Sequence, residues 1–326
     1  MRYLFVTLST TFTAFFCSGL IMIFGNPEVN FWHEITKKRD EDVVTRINSD
    51  GSKPVIIFGG GSSCAFSIKP EIITSLTGRE SINRGLIISA GMPYIVSHAF
   101  EHARAGDTVV LGLERNFLVN SSEANSRNLG IALALRNGSI RAGEGWPLRD
   151  QVPLRISTMM KMRLGARFVG SMLGKSVLKK DLYRYDHNDY RFGGRLETDY
   201  VDPFRGPSGA QTRCNVTSEA KLFLREAKKY ADDHQIELVY MLPWVWTEKG
   251  AERSSRKANE RLLQQLSGII ETLETETMGV QTEGDYFSDT AYHLTSLGAS
   301  KRSEEVGKSL AERFAKRHKM EKGNLE

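Results

Sequence analysis

Apolar residues occur along this chain in two patterns, short continuous runs and longer stretches with helical spacing. The runs predict buried strands over 55–58, 81–88, 108–111, 237–242 and 278–282. The longer stretches predict helices over 27–48, 70–76, 93–105, 217–234, 254–274 and 296–316. Strands that alternate with helices are typical of a parallel sheet covered on both faces. We therefore expect a three-layer α/β domain with five parallel strands.

The amino terminus departs from this alternation. Residues 3–24 form a run of 22 residues without a charged side chain, and Arg2 precedes it. A helix needs about 20 apolar residues to cross a bilayer core, so the run predicts a retained signal anchor over 1–25. A cleaved signal peptide, which would leave a secreted protein, is the alternative. Both interpretations place the rest of the chain on the extracytoplasmic (periplasmic) side of a membrane.

The remaining sequence divides into a charged, helical stalk over 26–53 and a domain over 54–320. Between the third and fourth predicted strands lies a surplus, 113–235, which we interpret as a helical insertion. Within it, segment 151–180 carries seven Lys and Arg residues, no Asp or Glu, and many interleaved apolar residues. This pattern is typical of helices that lie on anionic membranes. A helical cap with a solvated basic face and a groove for an acidic polysaccharide are the alternatives.

Composition narrows the class of protein. With 40% hydrophobic and 25% charged residues, the chain is neither disordered nor a multi-span membrane protein. Three cysteines without a Cys-x-x-Cys pair exclude a disulfide framework and offer no zinc pattern. The net charge of +5 is mild and does not predict a nucleic-acid partner. Segment 151–180 carries more positive charge than this total, so an anionic partner is expected there.

A glycine-rich turn follows the first predicted strand, with the sequence Phe-Gly-Gly-Gly-Ser-Ser-Cys over 58–64. Glycines permit a tight turn, and ligands of open α/β sheets bind at the carboxyl ends of the strands. Ser62 at this position can act as a nucleophile while nearby backbone N–H groups receive an oxyanion. A strand-to-helix turn with capping serines is the alternative.

A second motif lies near the carboxyl terminus, where 289–295 has the sequence Asp-Thr-Ala-Tyr-His-Leu-Thr. Asp289 can hold the His293 imidazole in one tautomer and stabilise its charged form, as an orienting acid does for a general base. An Asp that caps a turn beside a surface His is the alternative. With no second His or Cys nearby in the sequence, we predict no metal site, and the chemistry requires no organic cofactor.

Together the two motifs resemble the SGNH/GDSL hydrolase superfamily over 54–112 and 236–318. The resemblance implies a flavodoxin-like fold, with Ser62 as the nucleophile and His293 and Asp289 as its base and orienter. The spacing and the Asp-x-x-x-His-Leu-Thr pattern are similar to those of membrane-anchored, polysaccharide-associated members. Gly61 stands where the family has the Asp of Gly-Asp-Ser.

The resemblance also implies a set of oxyanion donors. The backbone donor of the family's second block falls on Gly91 or Gly85, and we favour Gly91. The third block, Gly-x-Asn-Asp, is replaced by Gly-Leu-Glu-Arg-Asn over 112–116, so Glu114 occupies the position of the donor Asn. Asn116 or Arg115 is the expected substitute.

These patterns predict a serine esterase or O-acyltransferase that acts on ester groups of an extracytoplasmic carbohydrate or polysaccharide. Its substrate is expected to be an ester-bearing carbohydrate or lipid. Glu114 motivates an alternative, a catalytically inactive scaffold or glycan-binding subunit of an envelope polysaccharide assembly on the same fold. Segment 151–180 motivates a third interpretation, a peripheral lipid esterase.

Overall fold

The computed structural model describes residues 2–49, 53–120, 130, 133, 136, 185, 189–191, 193–197, 201–203 and 205–323. The helices are α1 Arg2–Phe24, α2 Pro27–Ser49, α3 Ser62–Ala65, α4 Pro70–Thr77, α5 Met92–Phe100, α6 Arg115–Val119, α7 Ser218–Asp233, α8 Glu252–Ser267 and α9 Ser296–Gly323. The strands are β1 Ile56–Gly60, β2 Ser81–Asn83, β3 Thr108–Gly112, β4 Tyr190–Arg191, β5 Arg195–Leu196, β6 Glu237–Met241, β7 Val245–Trp246, β8 Glu271–Leu273 and β9 Val280–Gln281. Segment 151–180 lies outside the described residues, so its predictions are not addressed by the structure.

Five strands form one parallel sheet in the order β2-β1-β3-β6-β8. The register pairs Ile56 of β1 with Ser81 of β2 and with Thr108 of β3, and Thr108 with Glu237 of β6. The predicted α/β class and five-stranded parallel sheet are confirmed. The carboxyl ends of the parallel strands lie at one edge of the sheet. The loops after β1, β2 and β3 meet there, next to Gly60, Asn83 and Gly112.

The fifth strand differs from the predicted one. The sequence places a helix over 254–274, but α8 ends at Ser267 and β8 follows within the same stretch, paired with β6. Residues 278–282 supply instead the two-residue β9, which pairs with β7 outside the main sheet. The apolar spacing of α8 continues into Ile269 and Ile270, so periodicity alone did not mark the end of the helix. Gly268 terminates it, and β-branched residues suit the strand that follows.

Successive side chains along each strand point to opposite faces of the sheet, and each face is covered by its own apolar cluster. The domain therefore has three layers. Ile56 and Phe58 pack on one face with side chains of α4 and α9, among them Ile73 and Val306. Ile57 faces the opposite layer, which is formed by apolar side chains of α2, α5, α7 and α8. Each of these fully buried side chains contributes about 1.5–3 kcal/mol through removal of its apolar surface from water.

Helix α2 is an integral part of the domain and not a stalk. Trp32, Ile35 and Val43 are fully buried. The Arg39 side chain is buried as well, and its Nε donates to the Gly194 carbonyl at 2.9 Å. The expected helix is therefore present, but the predicted stalk over 26–53 is wrong because one face of this helix completes the hydrophobic core. Charged residues on its other face account for its stalk-like composition.

Helix α1 is the one element among the described residues that is long and apolar enough to cross a membrane. Its outer apolar side chains, such as Tyr3, Leu4 and Phe5, are exposed. Signal sequences have the same length and composition, so this property fits both interpretations of the amino terminus. The end of α1 differs from its outer part, since Ile23 is buried in the domain core.

Candidate functional site

The two sequence motifs meet in a cavity of about 700 Å³ at the carboxyl edge of the sheet. Its lining includes Glu28, Trp32, Ser62, Ile87, Ile88, Glu114, Asn116, Tyr185, Asp202, Asp289, Thr290, Tyr292 and His293. Five of the seven predicted site residues are therefore brought together, although up to 231 positions separate them in the sequence. Gly85 and Gly91, the other two, are not among the lining residues.

Ser62 is the first residue of α3, directly after the turn that ends β1. The Gly61 carbonyl accepts hydrogen bonds from the N–H groups of Cys64 at 3.0 Å and Ala65 at 3.1 Å, which fixes this turn. A Cβ atom at Gly61 would collide with the carboxylate of Glu114. Glycine is thus required at the position where the family has Asp, because another carboxylate fills that space. As a first-turn residue, Ser62 has no partner for its N–H within the helix.

His293 and Asp289 lie together on the loop before α9. His293 Nδ1 lies 2.8 Å from Asp289 Oδ1, so the ring donates from Nδ1 and keeps Nε2 available as a base. The loop is closed by a hydrogen bond of 2.9 Å from the Ser288 N–H to the His293 carbonyl. The imidazole stacks on Phe66 with ring centroids 4.7 Å apart. These contacts hold the imidazole in one orientation beside the cavity.

Asp289 is ionised over a wide pH range. Burial alone would raise its pKa, but hydrogen bonds from His293, Tyr185 and Ser288, together with the His293 charge, lower the pKa of Asp289 to about 2. The carboxylate can therefore stabilise an imidazolium that forms on His293. Ser62 and His293 line the same cavity, and no hydrogen bond joins their side chains in the described part of the chain. Catalytic hydrogen bonds are often loose before a substrate binds.

Tyr185 is a site residue that the sequence analysis missed. Its hydroxyl donates to Asp289 Oδ2 at 2.8 Å and lies 3.0 Å from His293 Nδ1. Its ring packs on Phe66, with centroids 4.9 Å apart. The residue comes from the insertion over 113–235, where no periodicity or motif marked it.

Glu114 is buried beside the turn that carries Ser62. Its Oε1 accepts from the Ser63 N–H at 3.1 Å and from the Ser63 hydroxyl at 2.7 Å. Its Oε2 has no hydrogen-bond partner among the described residues. Burial raises the pKa of Glu114 above its ordinary value, and the bonds from Ser63 oppose that effect only in part. Glu114 thus caps the short helix that carries Ser62. The raised pKa favours the neutral form of the Glu114 carboxyl group.

The two glycines proposed as oxyanion donors use their N–H groups elsewhere. The Gly91 N–H donates to the Ile88 carbonyl at 3.0 Å, and the Gly85 N–H donates to Asn83 Oδ1 at 2.9 Å. Gly91 is required for another reason, a φ of +81° at the junction into α5. Neither N–H is available to an oxyanion in this conformation, because each already has an internal acceptor.

Of the two substitutes for the third-block donor, only Asn116 reaches the cavity. Arg115 points away from it, and its guanidinium donates to the carbonyls of Gln211 and Arg213 and to the side chain of Asn259. Asn116, half-buried in the first turn of α6, lines the cavity with Ser62.

Cys64, two residues from Ser62, is a packing residue. Its side chain is 1% exposed and lies in the apolar cluster beneath the sheet. Burial raises the pKa of the Cys64 thiol to about 12, so the thiolate that a cysteine nucleophile requires is strongly disfavoured.

Among the residues that the structure describes, one group of potential metal ligands lies outside the cavity and combines Asp40, Glu101 and His102 within 4.8 Å of one another. Arg84 lies among them, with its guanidinium 2.7 Å from Asp40 and 3.2 Å from Glu101. The Arg84 side chain is fully buried, so its charge is compensated by these two carboxylates. The group is accordingly an ion-pair network that joins α2 to α5.

Comparisons with known proteins give no relative: no family model, no curated protein and no solved structure matches the chain.

Proposed function

We propose that this protein is a membrane-anchored serine esterase or O-acyltransferase of the SGNH/GDSL type, with an extracytoplasmic domain. The observation that carries the proposal is the shared cavity, which is lined both by Ser62 and by a His293 that is oriented by Asp289. The strand order supports it, because the succession second, first, third, fourth and fifth strand is that of flavodoxin-like sheets. Chain order also agrees with the resemblance, since the Ser comes first and the Asp and His come last.

In the proposed reaction, Ser62 Oγ attacks the carbonyl carbon of an ester while His293 Nε2 takes the hydroxyl proton. The C–O bond of the ester then breaks, and the alcohol leaves with the proton from Nε2. In an esterase, water attacks the acyl-serine and frees the acid. In a transferase, a hydroxyl of the acceptor attacks in its place. His293 accepts the proton of either nucleophile and returns it to Ser62.

The oxyanion that forms at the carbonyl oxygen needs donors at the carboxyl edge of the sheet. The Ser62 N–H is one, because its position at the start of α3 leaves it without an intrahelical acceptor. The Asn116 amide is the second. These two donors, the Ser62 N–H and the Asn116 amide, replace the expected Gly91 donor, because the Gly91 N–H is bonded to the Ile88 carbonyl.

The substrate class follows in part from the cavity wall. Trp32, Ile87 and Ile88 give the cavity an apolar side, which suits an acyl group better than a bare sugar hydroxyl. The carbohydrate or polysaccharide acceptor rests on the resemblance to anchored, polysaccharide-associated hydrolases. Fold alone does not determine a substrate.

Hydrolysis of p-nitrophenyl acetate by the purified full chain tests the proposal. We expect turnover above the buffer rate and its loss, by at least about 10³-fold, in Ser62→Ala. The matched control is Ser75→Ala, which alters an exposed serine on α4 and should leave the rate unchanged. Equal rates in the wild type and Ser62→Ala would refute the mechanism.

Glu114 and the engaged glycines favour one alternative, an inactive scaffold or glycan-binding subunit on the same fold. Such a protein would retain the cavity but lack turnover. Binding of an O-acetylated oligosaccharide with equal affinity by the wild type and by Ser62→Ala, without release of acetate, would favour this alternative.

A further inference from the structure

The carboxyl end of α1 is built into the domain rather than joined to it by a flexible linker. Ile23, in the last turn of α1, is 2% exposed and belongs to the same apolar cluster as Trp32 of α2. The Gly25 N–H donates to the Ile21 carbonyl at 2.8 Å, which continues the helical hydrogen bonding to the junction with α2. Arg136, which belongs to the insertion, donates to the Ile23 carbonyl at 3.2 Å. These contacts attach the last turn of α1 to the core of the domain.

Helix α2 determines which edge of the sheet faces α1. At its beginning, Glu28 and Trp32 line the cavity with Ser62. Near its end, Arg46 donates to the carbonyl of Ser81, the first residue of β2, at 2.8 Å. Helix α2 thus runs from the carboxyl edge of the sheet to the amino edge. Between Glu28 and Arg46 the helix rises about 27 Å, so the contact with the amino edge lies farther from the end of α1 than the cavity does.

The cavity is close to the end of the apolar helix. Phe24 ends α1, and Glu28 follows after four Cα–Cα steps of about 3.8 Å, so the cavity wall begins at most about 15 Å from that end. With α1 in a bilayer, this distance places the cavity at the height of the lipid headgroups. The apolar side chains of Trp32, Ile87 and Ile88 then line a cavity that lies close to the region where amphiphilic molecules reside.

From this placement we infer that Ser62 acts preferentially on an amphiphilic ester whose carrier is seated in the same bilayer as α1, over esters that are free in solution. The inference rests on the proposed function, to which it adds the substrate class. The reaction is the acyl transfer to Ser62 described above, with the lipid-anchored alcohol as the leaving group or the acceptor. A carrier in the bilayer delivers its ester bond to the cavity without diffusing through the solvent.

The placement of the cavity is tested without any activity measurement. A chain with Cys17→Ser and Cys214→Ser is labelled with a fluorophore at Val201→Cys, which adjoins cavity residue Asp202, or at Asp233→Cys, which is near the start of β6 at the amino edge. Both variants are reconstituted in phosphatidylcholine vesicles that contain a headgroup-nitroxide lipid. We expect quenching at 201 to exceed that at 233 by at least about threefold. Equal or reversed quenching would overturn the inference.

The substrate class is tested with 7-acetoxycoumarin and an analogue that carries a hexadecyl chain on the ring. The full chain and the Ser62→Ala control are reconstituted in vesicles with the anchored ester in the same membrane, and the soluble ester is supplied at equal bulk concentration. We expect Ser62-dependent hydrolysis of the anchored ester to be at least about tenfold faster. An anchored ester in separate vesicles should lose that advantage.

The outcomes separate the two claims. Ser62-dependent hydrolysis of the soluble ester, with no advantage for the anchored ester, would overturn the inference and leave the proposed function intact. Absence of Ser62-dependent hydrolysis of both esters would overturn the proposed function and, with it, the inference.

Discussion

The hydroxyl of Tyr185 donates a hydrogen bond of 2.8 Å to Asp289 Oδ2, on the carboxylate whose other oxygen holds His293. The insertion therefore contributes directly to the orientation of the proposed base. Hydrogen bonds to charged groups are worth about 1.5–3 kcal/mol. In the proposed mechanism, Tyr185 therefore positions His293 through Asp289.

Tyr185→Phe removes this bond and keeps the packing of the ring on Phe66. We expect kcat/KM for an acetyl ester to fall by about tenfold or more, with little change in KM, because the change affects the base and not the binding surface. The pKa of Asp289 should rise toward its ordinary value at the same time, which NMR titration of the carboxylate would detect. The matched control is Tyr190→Phe, which removes a similar bond of 2.6 Å to Asp42 away from the cavity. An equal loss of kcat in both variants would show that the effect is only structural.

Glu114 makes stability depend on pH in a definite direction. Because burial raises its pKa in the folded state, the folded protein binds more protons than the unfolded chain above the ordinary value of 4.5. The free energy of unfolding must therefore fall as the pH rises from that value through the raised pKa. Glu114→Gln keeps an acceptor for Ser63 but cannot ionise, so we expect this part of the pH dependence to disappear. Urea unfolding between pH 4 and pH 8 measures the difference between the two proteins.

The hydrogen bonds from Ser63 to Glu114 provide a control for this prediction. Glu114→Ala leaves the Ser63 N–H and hydroxyl without their acceptor, which should cost about 1–3 kcal/mol at every pH. A wild type whose stability rises with pH relative to Glu114→Gln would show that Glu114 is ionised in the fold.

Removal of α2 should prevent folding. A chain of residues 26–326 keeps Trp32, Ile35 and Val43, whereas one of residues 54–326 exposes the surface that they cover. Loss of a single large core side chain already costs about 3–5 kcal/mol, which is a large part of the stability of a domain. We expect cooperative thermal unfolding for the longer chain and none for the shorter one, as measured by circular dichroism. A cooperative transition in the shorter chain would restore the interpretation of 26–53 as a stalk.

Local patterns were sufficient to predict most elements of the sheet. The buried runs at Ile56–Gly60, Thr108–Gly112 and Glu237–Met241 became its three central strands, because a strand covered on both faces is apolar along its whole length. The edge strand Glu271–Leu273 was missed. An edge strand is partly exposed, and this one directly follows an amphipathic helix, so its pattern merges with that of the helix.

The candidate site was predictable to the extent that it lies at strand ends. Ser62, Asp289 and His293 share a cavity because their segments end at the same edge of the sheet, which chain order and parallel topology imply. Tyr185 and Trp32 were not predictable, since a side chain that approaches from an insertion or a covering helix leaves no periodic pattern. The sequence also gave no sign that the Gly91 N–H is already hydrogen-bonded, because its bond to the Ile88 carbonyl depends on the local turn.

Covalent labelling of the full chain with a fluorophosphonate, followed by peptide mass spectrometry, tests directly whether Ser62 is a nucleophile that His293 activates. We predict one phosphonylated serine, Ser62, because the phosphonate captures a serine that is activated by a base. Labelling should fall by at least about 10²-fold in His293→Ala, while Ser63, whose hydroxyl is bound to Glu114, stays unmodified. An unmodified Ser62 in the wild type, or equal labelling of Ser62 in His293→Ala, would contradict the account.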